Sequence, residues 1–99
     1  MFYTQRFNTS ERQSIIESDL ELYSIIDKVL TLVDPIGLAH LKGEYDIEIA
    51  EIMANLHNCK SASDCKQLVY EVFSSWFTPA LAEKILKEPE DTFNEVRYK

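Results

Sequence analysis

Apolar residues recur at intervals of three and four along most of this chain, and most regularly in the segment "ASDCKQLVYEVFSSWF". This spacing places them on one face of an α-helix, which has 3.6 residues per turn. The polar residues Gln67, Glu71 and Ser74 fall on the opposite face. We therefore predict a helix here that forms the centre of the core. Its apolar face consists of Cys65, Leu68, Val69, Val72, Phe73 and Trp76.

The scarcity of glycine and proline also favours helices. Two glycines and three prolines in 99 residues are too few for the many turns of a β-sandwich or barrel. Hydrophobic residues make up 45% of the chain, which is enough for one modest core. The predicted fold is all-α, a compact single-domain bundle of four to five helices over residues 1–99. The ends, 1–9 and 90–99, are left open between order and disorder.

Capping signals predict where the first helices begin. Ser18 and Glu21 have the spacing of a capping box, in which each side chain binds the other residue's main-chain N–H. Ser10 and Gln13 form a weaker pair of the same kind upstream. A continuous helix would place a charged residue within the apolar stripe, so we predict a break near Ser18.

Proline and further caps predict the later boundaries. Pro35 ends the second helix, because the residue before a proline is driven out of the helical region. Asp46 is the predicted N-cap of the third helix, with Glu48 and Glu51 facing outward. Ser61 and Thr78 are predicted caps of two more helices. Their inner residues and those of the earlier helices form a predicted core of Leu22, Ile26, Val29, Ile49, Ile52, Met53, Leu68, Val72, Phe73, Trp76 and Ile85, with Leu81 and Ala82 beside it.

The charge balance limits the classes of partner. The chain has 17 acidic residues against ten Lys and Arg, a formal charge of −7. Binding to a phosphate backbone depends on cationic contacts, so nucleic acid is not an expected partner. An acidic surface favours either a basic protein partner or solubility alone. No apolar run has the length of a membrane span or a signal peptide, so a cytoplasmic location without membrane attachment is expected.

No pattern of residues indicates catalysis or a metal. His57, Cys59 and Cys65 lack a fourth ligand and the paired short spacings of a zinc site. His40 and His57 do not accompany a recognisable nucleophile. The acids around Asp46 could ligate a hard cation, but their spacing differs from that of a calcium loop, and helix capping explains most of them. We expect no enzyme activity, no metal and no cofactor.

Three segments resemble a known family. "DPIGL", the acidic "EYDIEI" and "VYEVFSSWF" together are similar to the core of a bacterial family of unknown function, typified by short all-helical Bacillus proteins. The resemblance covers residues 29 to 77, but the loop "AHLK" within that range and the tail past Lys87 do not match it. It implies a small all-α fold without known catalysis. Some relatives of this general kind act as neutralising partners in toxin and immunity gene pairs.

These observations predict a non-enzymatic, protein-binding role, most concretely an immunity-type inhibitor of a basic bacterial toxin. A nuclease fits best, because it presents cations for phosphate that an acidic surface can occupy. The first alternative is a stand-alone cytosolic helical protein of unknown role, including a homodimer. The second is a small metal-binding or catalytic protein. The predicted partner-binding residues are Glu44, Asp46, Glu48, Glu51, His40, Lys42 and Asp27.

Overall fold

Five α-helices make up most of the chain in a computed structural model that describes residues 1–37 and 43–96. Two short 3₁₀-helices follow α3 and α5, and these ranges contain no strand. The predicted all-α bundle of four to five helices is confirmed. In chain order the elements are α1 (Thr9–Ser18), α2 (Leu20–Val33), α3 (Asp46–Asn55), a 3₁₀-helix (Leu56–Asn58), α4 (Ala62–Trp76), α5 (Pro79–Leu86) and a second 3₁₀-helix (Glu90–Phe93).

The predicted break near Ser18 is confirmed, but the predicted cap is wrong. Ser18 is the last residue of α1, and its hydroxyl donates to the carbonyl of Ile15 at 2.6 Å. Asp19 leaves the helical conformation, with φ −154° and ψ 82°. Its carboxylate therefore reaches the third amide of α2, that of Leu22, at 3.0 Å. The helix boundary lies one residue later than the capping box predicted.

The start of α1 also differs from the prediction. Asn8 and Glu11 form the capping box, with hydrogen bonds of 2.8 and 2.9 Å between each side chain and the other residue's N–H. Gln13, the predicted partner of Ser10, instead donates to Glu17 one turn later at 3.1 Å. The helix consequently begins two residues earlier, because Asn8 has an extended backbone and the first helical residue follows it.

Asp19→Ala is expected to lower the free energy of unfolding by about 1 kcal/mol, because one amide of α2 loses its capping partner. Ser18→Ala is the matched control and is expected to have a smaller effect, since its exposed hydroxyl donates only to the Ile15 carbonyl within α1 and caps no amide of α2. Urea denaturation of both variants measures the difference. Equal losses, or a larger loss for Ser18→Ala, would contradict the cap assignment.

The end of α2 and the starts of α4 and α5 agree with the sequence. α2 ends at Val33, and Asp34 takes the left-handed conformation with φ 45°. Ser61 and Thr78 cap α4 and α5 by accepting from the main-chain N–H three residues on, at 3.1 and 3.2 Å. Pro79 occupies the first helical position of α5, where its missing N–H has no helical partner to lose.

The core surrounds α4, which packs against α3, α5 and the second 3₁₀-helix, while α2 packs against α3. Of the predicted core residues, all are buried except Val29 and Trp76, which are half-buried and contact the core. Leu81 was predicted to face inward but is 50% exposed. Ala82 and Ile85, which were also predicted to face inward, are fully buried and form the inner face of α5, which packs against α4.

Both chain ends contact the core within the described ranges. Phe93 and Val96 are buried, and the Cys65 thiol donates to the Val96 carbonyl at 2.8 Å. At the other end, residues 2–7 have no regular secondary structure but contact α3 and α4 through hydrogen bonds. The face of α4 that the sequence pattern left to solvent is thus covered by the N-terminal segment, a name we use for residues 2–7.

Candidate functional site

Four acidic side chains lie together where α3 begins. Asp27 comes from α2, Glu44 from the turn before α3, and Asp46 and Glu48 from the first turn of α3. They are close enough to influence one another electrostatically: Asp46 acts on Asp27, and Glu44 and Asp46 both act on Glu48. We call these four residues the acidic cluster. The tertiary structure therefore brings together a set that the sequence spread over 22 positions, from 27 to 48.

Asp46 does not cap α3 as predicted. The N-cap position is Tyr45, whose side chain makes no capping hydrogen bond and whose hydroxyl donates to Asp34 at 2.8 Å. The Asp46 N–H donates to the Gly43 carbonyl at 3.2 Å, which draws Asp46 into the turn that opens the helix. Its carboxylate accepts a hydrogen bond from the Tyr23 hydroxyl at 2.5 Å. Asp46 thus joins α3 to α2.

A double-mutant cycle of Tyr23→Phe and Asp46→Ala is expected to give a coupling energy of about 1 kcal/mol, because both changes remove the same hydrogen bond between α2 and α3. Chemical denaturation of the wild type, the two single variants and the double variant provides the four values. Additive losses would show that Asp46 stabilises α3 locally and that its bond to Tyr23 contributes nothing.

Burial and like charge shift the pKa values around Asp46. Burial raises the pKa of Tyr23 far above its usual range, and the hydrogen bond to Asp46 and the charges of Asp46 and Asp27 raise it further. Burial and the charge of Asp46 also raise the pKa of Asp27. Both shifts have the sign expected where negative charges are crowded without enough cations beside them.

Glu48 was predicted to face outward, and that prediction is wrong. Its side chain is 4% exposed, because α1 packs against α3 and covers this face. Burial raises the pKa of Glu48 from 4.5 to about 7, and the charges of Glu44 and Asp46 add to the effect. A hydrogen bond that the carboxylate accepts from its own main-chain N–H, and the guanidinium of Arg12 in α1, oppose this rise in pKa. Glu48 lies beneath the acidic surface and cannot contact a partner directly.

Glu51 is also buried, contrary to the outward prediction. None of its side chain is exposed to solvent. Its carboxylate accepts hydrogen bonds from the Tyr3 hydroxyl, from the Phe7 N–H at 2.7 Å and from the Trp76 indole N–H at 3.3 Å. Burial and the bond to Glu51 raise the pKa of Tyr3 to about 12. Glu51 therefore binds the N-terminal segment and is not part of a surface that a partner could contact.

Of the predicted partner-binding residues that the structure describes, three remain as surface candidates. Glu44 is exposed, and Asp27 and Asp46 are half-buried beside it. His40 and Lys42 lie outside the residues that the structure describes. Within the described residues, the surface part of the predicted site therefore consists of Asp27, Glu44 and Asp46.

Sequence reasoning missed a second set of functional side chains, on α3, the 3₁₀-helix that follows it, and α4. They bind the N-terminal segment through its main chain and include a buried amide, Asn55. The only sequence signal was polar residues at positions whose neighbours are apolar. We call this set the α3–α4 face; its members are Glu51, Asn55, Asn58 and Glu71.

Grooves in the described part of the chain adjoin these sites. A groove of about 700 Å³ lies beside α2, with Asp27 and the apolar Val29 and Leu32 on one side and Glu95 on the other. Leu32 is 75% exposed there. A second groove, of about 420 Å³, lies between the N-terminal segment and α4 and is lined by Arg6 and Ser74, among others.

Other chemistry is limited. In residues 1–37 and 43–96, no three His, Cys, Asp or Glu side chains are grouped so that they could hold a metal ion. The hydrogen bond between Cys59 and Cys65, together with burial, raises the pKa of the Cys59 thiol far above its usual range. None of the helices in the described ranges has the length and apolar character of a membrane span.

Comparison with protein-family models, curated proteins and solved structures found no match to this chain.

Proposed function

We propose that the chain is a non-enzymatic protein-binding protein, an immunity-type inhibitor that neutralises a basic bacterial toxin such as a nuclease. The observation that carries this proposal is the acidic cluster, where burial, and after it the neighbouring negative charges, raise the pKa of Asp27 and Glu48. A cationic partner would relieve that repulsion, and it would find few competing cations on a chain with a charge of −7. The family resemblance of the sequence predicts the same role.

The surrounding surface supports a protein partner. Only Glu48 and Glu51 among the 17 acids are buried, so the negative charge is distributed over the outside of the molecule. Two lysines are also engaged by main-chain carbonyls: Lys66 donates to Glu88 at 2.9 Å and Lys84 to Asp34 at 3.1 Å. The groove beside Asp27 adds apolar contact area at Leu32, and specific protein interfaces combine an apolar centre with a polar rim.

The test is binding to the product of the neighbouring gene in the native genome. Calorimetry at about 50 mM and about 300 mM NaCl is expected to show affinity that falls with salt, because screened charges contribute less. Glu44→Lys is expected to weaken binding about tenfold. Glu90→Lys makes the same charge change on an exposed position of another element and is the matched control.

No binding at low salt would contradict the proposal, as would equal losses from the two charge reversals. An active toxin in the presence of excess wild-type chain would contradict the inhibitor role specifically. The alternative of a stand-alone homodimer would be favoured by a different result. The chain would then not bind the neighbouring gene product but would associate with itself, and Leu32→Ser would abolish that self-association.

A further inference from the structure

The N-terminal segment is held mainly through its main chain. Four N–H groups and two carbonyl groups of residues 2–7 form hydrogen bonds with side chains of the α3–α4 face. Glu71 accepts from the N–H groups of residues 2 and 3 at 2.8 and 2.9 Å, while Asn58 donates to the first carbonyl at 2.9 Å. In the middle of the segment, the Asn55 side chain accepts from the N–H of residue 4 at 3.1 Å and donates to the carbonyl of residue 5 at 3.2 Å.

Main-chain recognition is the way proteins bind peptides of differing sequence. Every peptide carries the same N–H and C=O groups, so such contacts supply affinity while side-chain contacts supply selectivity. Several side-chain contacts add selectivity, including those of the Thr4 hydroxyl with the face and of Arg6 with Ser75, and two of them involve an aromatic hydroxyl and a cation. The Tyr3 hydroxyl donates to Glu51, and the Arg6 guanidinium lies over the Trp76 ring, 4.6 Å from its centre. The face therefore selects an aromatic hydroxyl and, three residues later, a cation.

The charge of the N-terminal segment and the groove beside it also support peptide recognition at this face. Residues 1–10 contain Arg6 and no acidic residue, in a chain that is otherwise strongly acidic. They thus complement the carboxylates of Glu51 and Glu71. The groove of about 420 Å³ beside the segment has room for more than the segment itself fills. Its lining includes the Ser74 hydroxyl, a buried oxygen without a hydrogen-bond partner in the part of the chain described.

We propose that the α3–α4 face is a binding site for a peptide segment of a partner protein, with an aromatic residue followed three positions later by arginine. The N-terminal segment occupies this site within the same chain and competes with the partner. The segment lacks helical structure, and its main chain is bound largely by side chains of the face; such segments are among the parts of a protein that open most readily. The proposal concerns a different surface from the acidic cluster and does not depend on the toxin.

The test measures the affinity of the full chain for a synthetic peptide with the sequence of residues 1–8. The peptide carries fluorescein, and its binding is measured by fluorescence anisotropy. The Tyr3→Ala/Arg6→Ala variant is expected to bind the peptide about tenfold more tightly than the wild type, because its own segment competes less. Arg6→Ala alone changes an exposed side chain, keeps the fold, and should give a smaller increase. Adding Glu71→Ala to either variant should abolish the increase in peptide affinity. Glu83→Ala, on the exposed side of α5, should leave that increase unchanged.

A control peptide with alanine in place of the tyrosine and the arginine is expected to bind at least about tenfold more weakly than the native peptide. The proposal is overturned if folded Arg6→Ala shows no increase in peptide affinity, if Glu71→Ala leaves that affinity intact, or if both peptides bind equally. Circular dichroism establishes that each variant is folded before its affinity is compared.

Discussion

Replacing Glu51 by alanine is expected to lower the free energy of unfolding by about 3 kcal/mol. The change leaves the Tyr3 hydroxyl, the Phe7 N–H and the Trp76 indole N–H without their shared acceptor, and an unsatisfied buried donor costs about 1 to 3 kcal/mol. It also removes side-chain volume from a fully buried position, which adds a cavity term. Urea denaturation measures the loss, and the single tryptophan should report greater exposure to water.

Glu51→Gln and Glu83→Ala are the controls for this prediction. Glutamine keeps one acceptor oxygen at the same place, so Glu51→Gln should lower the free energy of unfolding by less than Glu51→Ala. Glu83 is exposed on α5, and its replacement should change stability by less than about 0.5 kcal/mol. A loss below about 1 kcal/mol for Glu51→Ala would mean that the N-terminal segment does not depend on this carboxylate.

Replacing Glu48 by glutamine is expected to stabilise the protein above pH 7. The pKa of Glu48 is about 7 in the folded chain against an ordinary value of 4.5. Between these two values the folded state holds more protons than the unfolded state, so the free energy of unfolding falls as the pH rises. The whole shift corresponds to at most about 3 kcal/mol. Glutamine is neutral throughout, so its advantage should grow from about pH 4.5 and level off above about pH 7.

Denaturation of the wild type and Glu48→Gln at a series of pH values tests this dependence. Arg12 is the cation that faces Glu48 from α1, and Glu44 and Asp46 are the acids beside it, so ionic strength should be held constant. Glu83→Gln removes an exposed charge and serves as the matched control. A constant difference between the wild type and Glu48→Gln across the series would contradict the raised pKa.

Local sequence signals predicted the helices and several of their ends well. Pro35, Ser61 and Thr78 act through residues within one turn of themselves, so their effect does not depend on the rest of the fold. The inner face of α4 was predictable for a related reason. A complete apolar stripe leaves the helix only one face that can be buried.

Three caps were misplaced because local spacing does not decide which of several neighbouring residues leaves the helical conformation and becomes the cap. Ser18 and Asp19 are both good caps, and the choice between them depends on which residue leaves the helical conformation. At the start of α3, Tyr23 engages the carboxylate of Asp46 from another helix. The sequence around Asp46 contains no trace of that contact, which spans 23 positions.

By itself the sequence determined an all-helical chain, the core face of its central helix and a net negative charge, because these follow from residue spacing and composition. Only the tertiary structure decided which acids remain on the surface. Periodicity identifies the most apolar face of a helix but not whether a second element covers the other face. On α3, α1 covers Glu48 and the N-terminal segment covers Glu51. Burial then raises the pKa of Glu48 to about 7 and makes Glu51 a structural acceptor, since a buried polar group must find its partners within the protein.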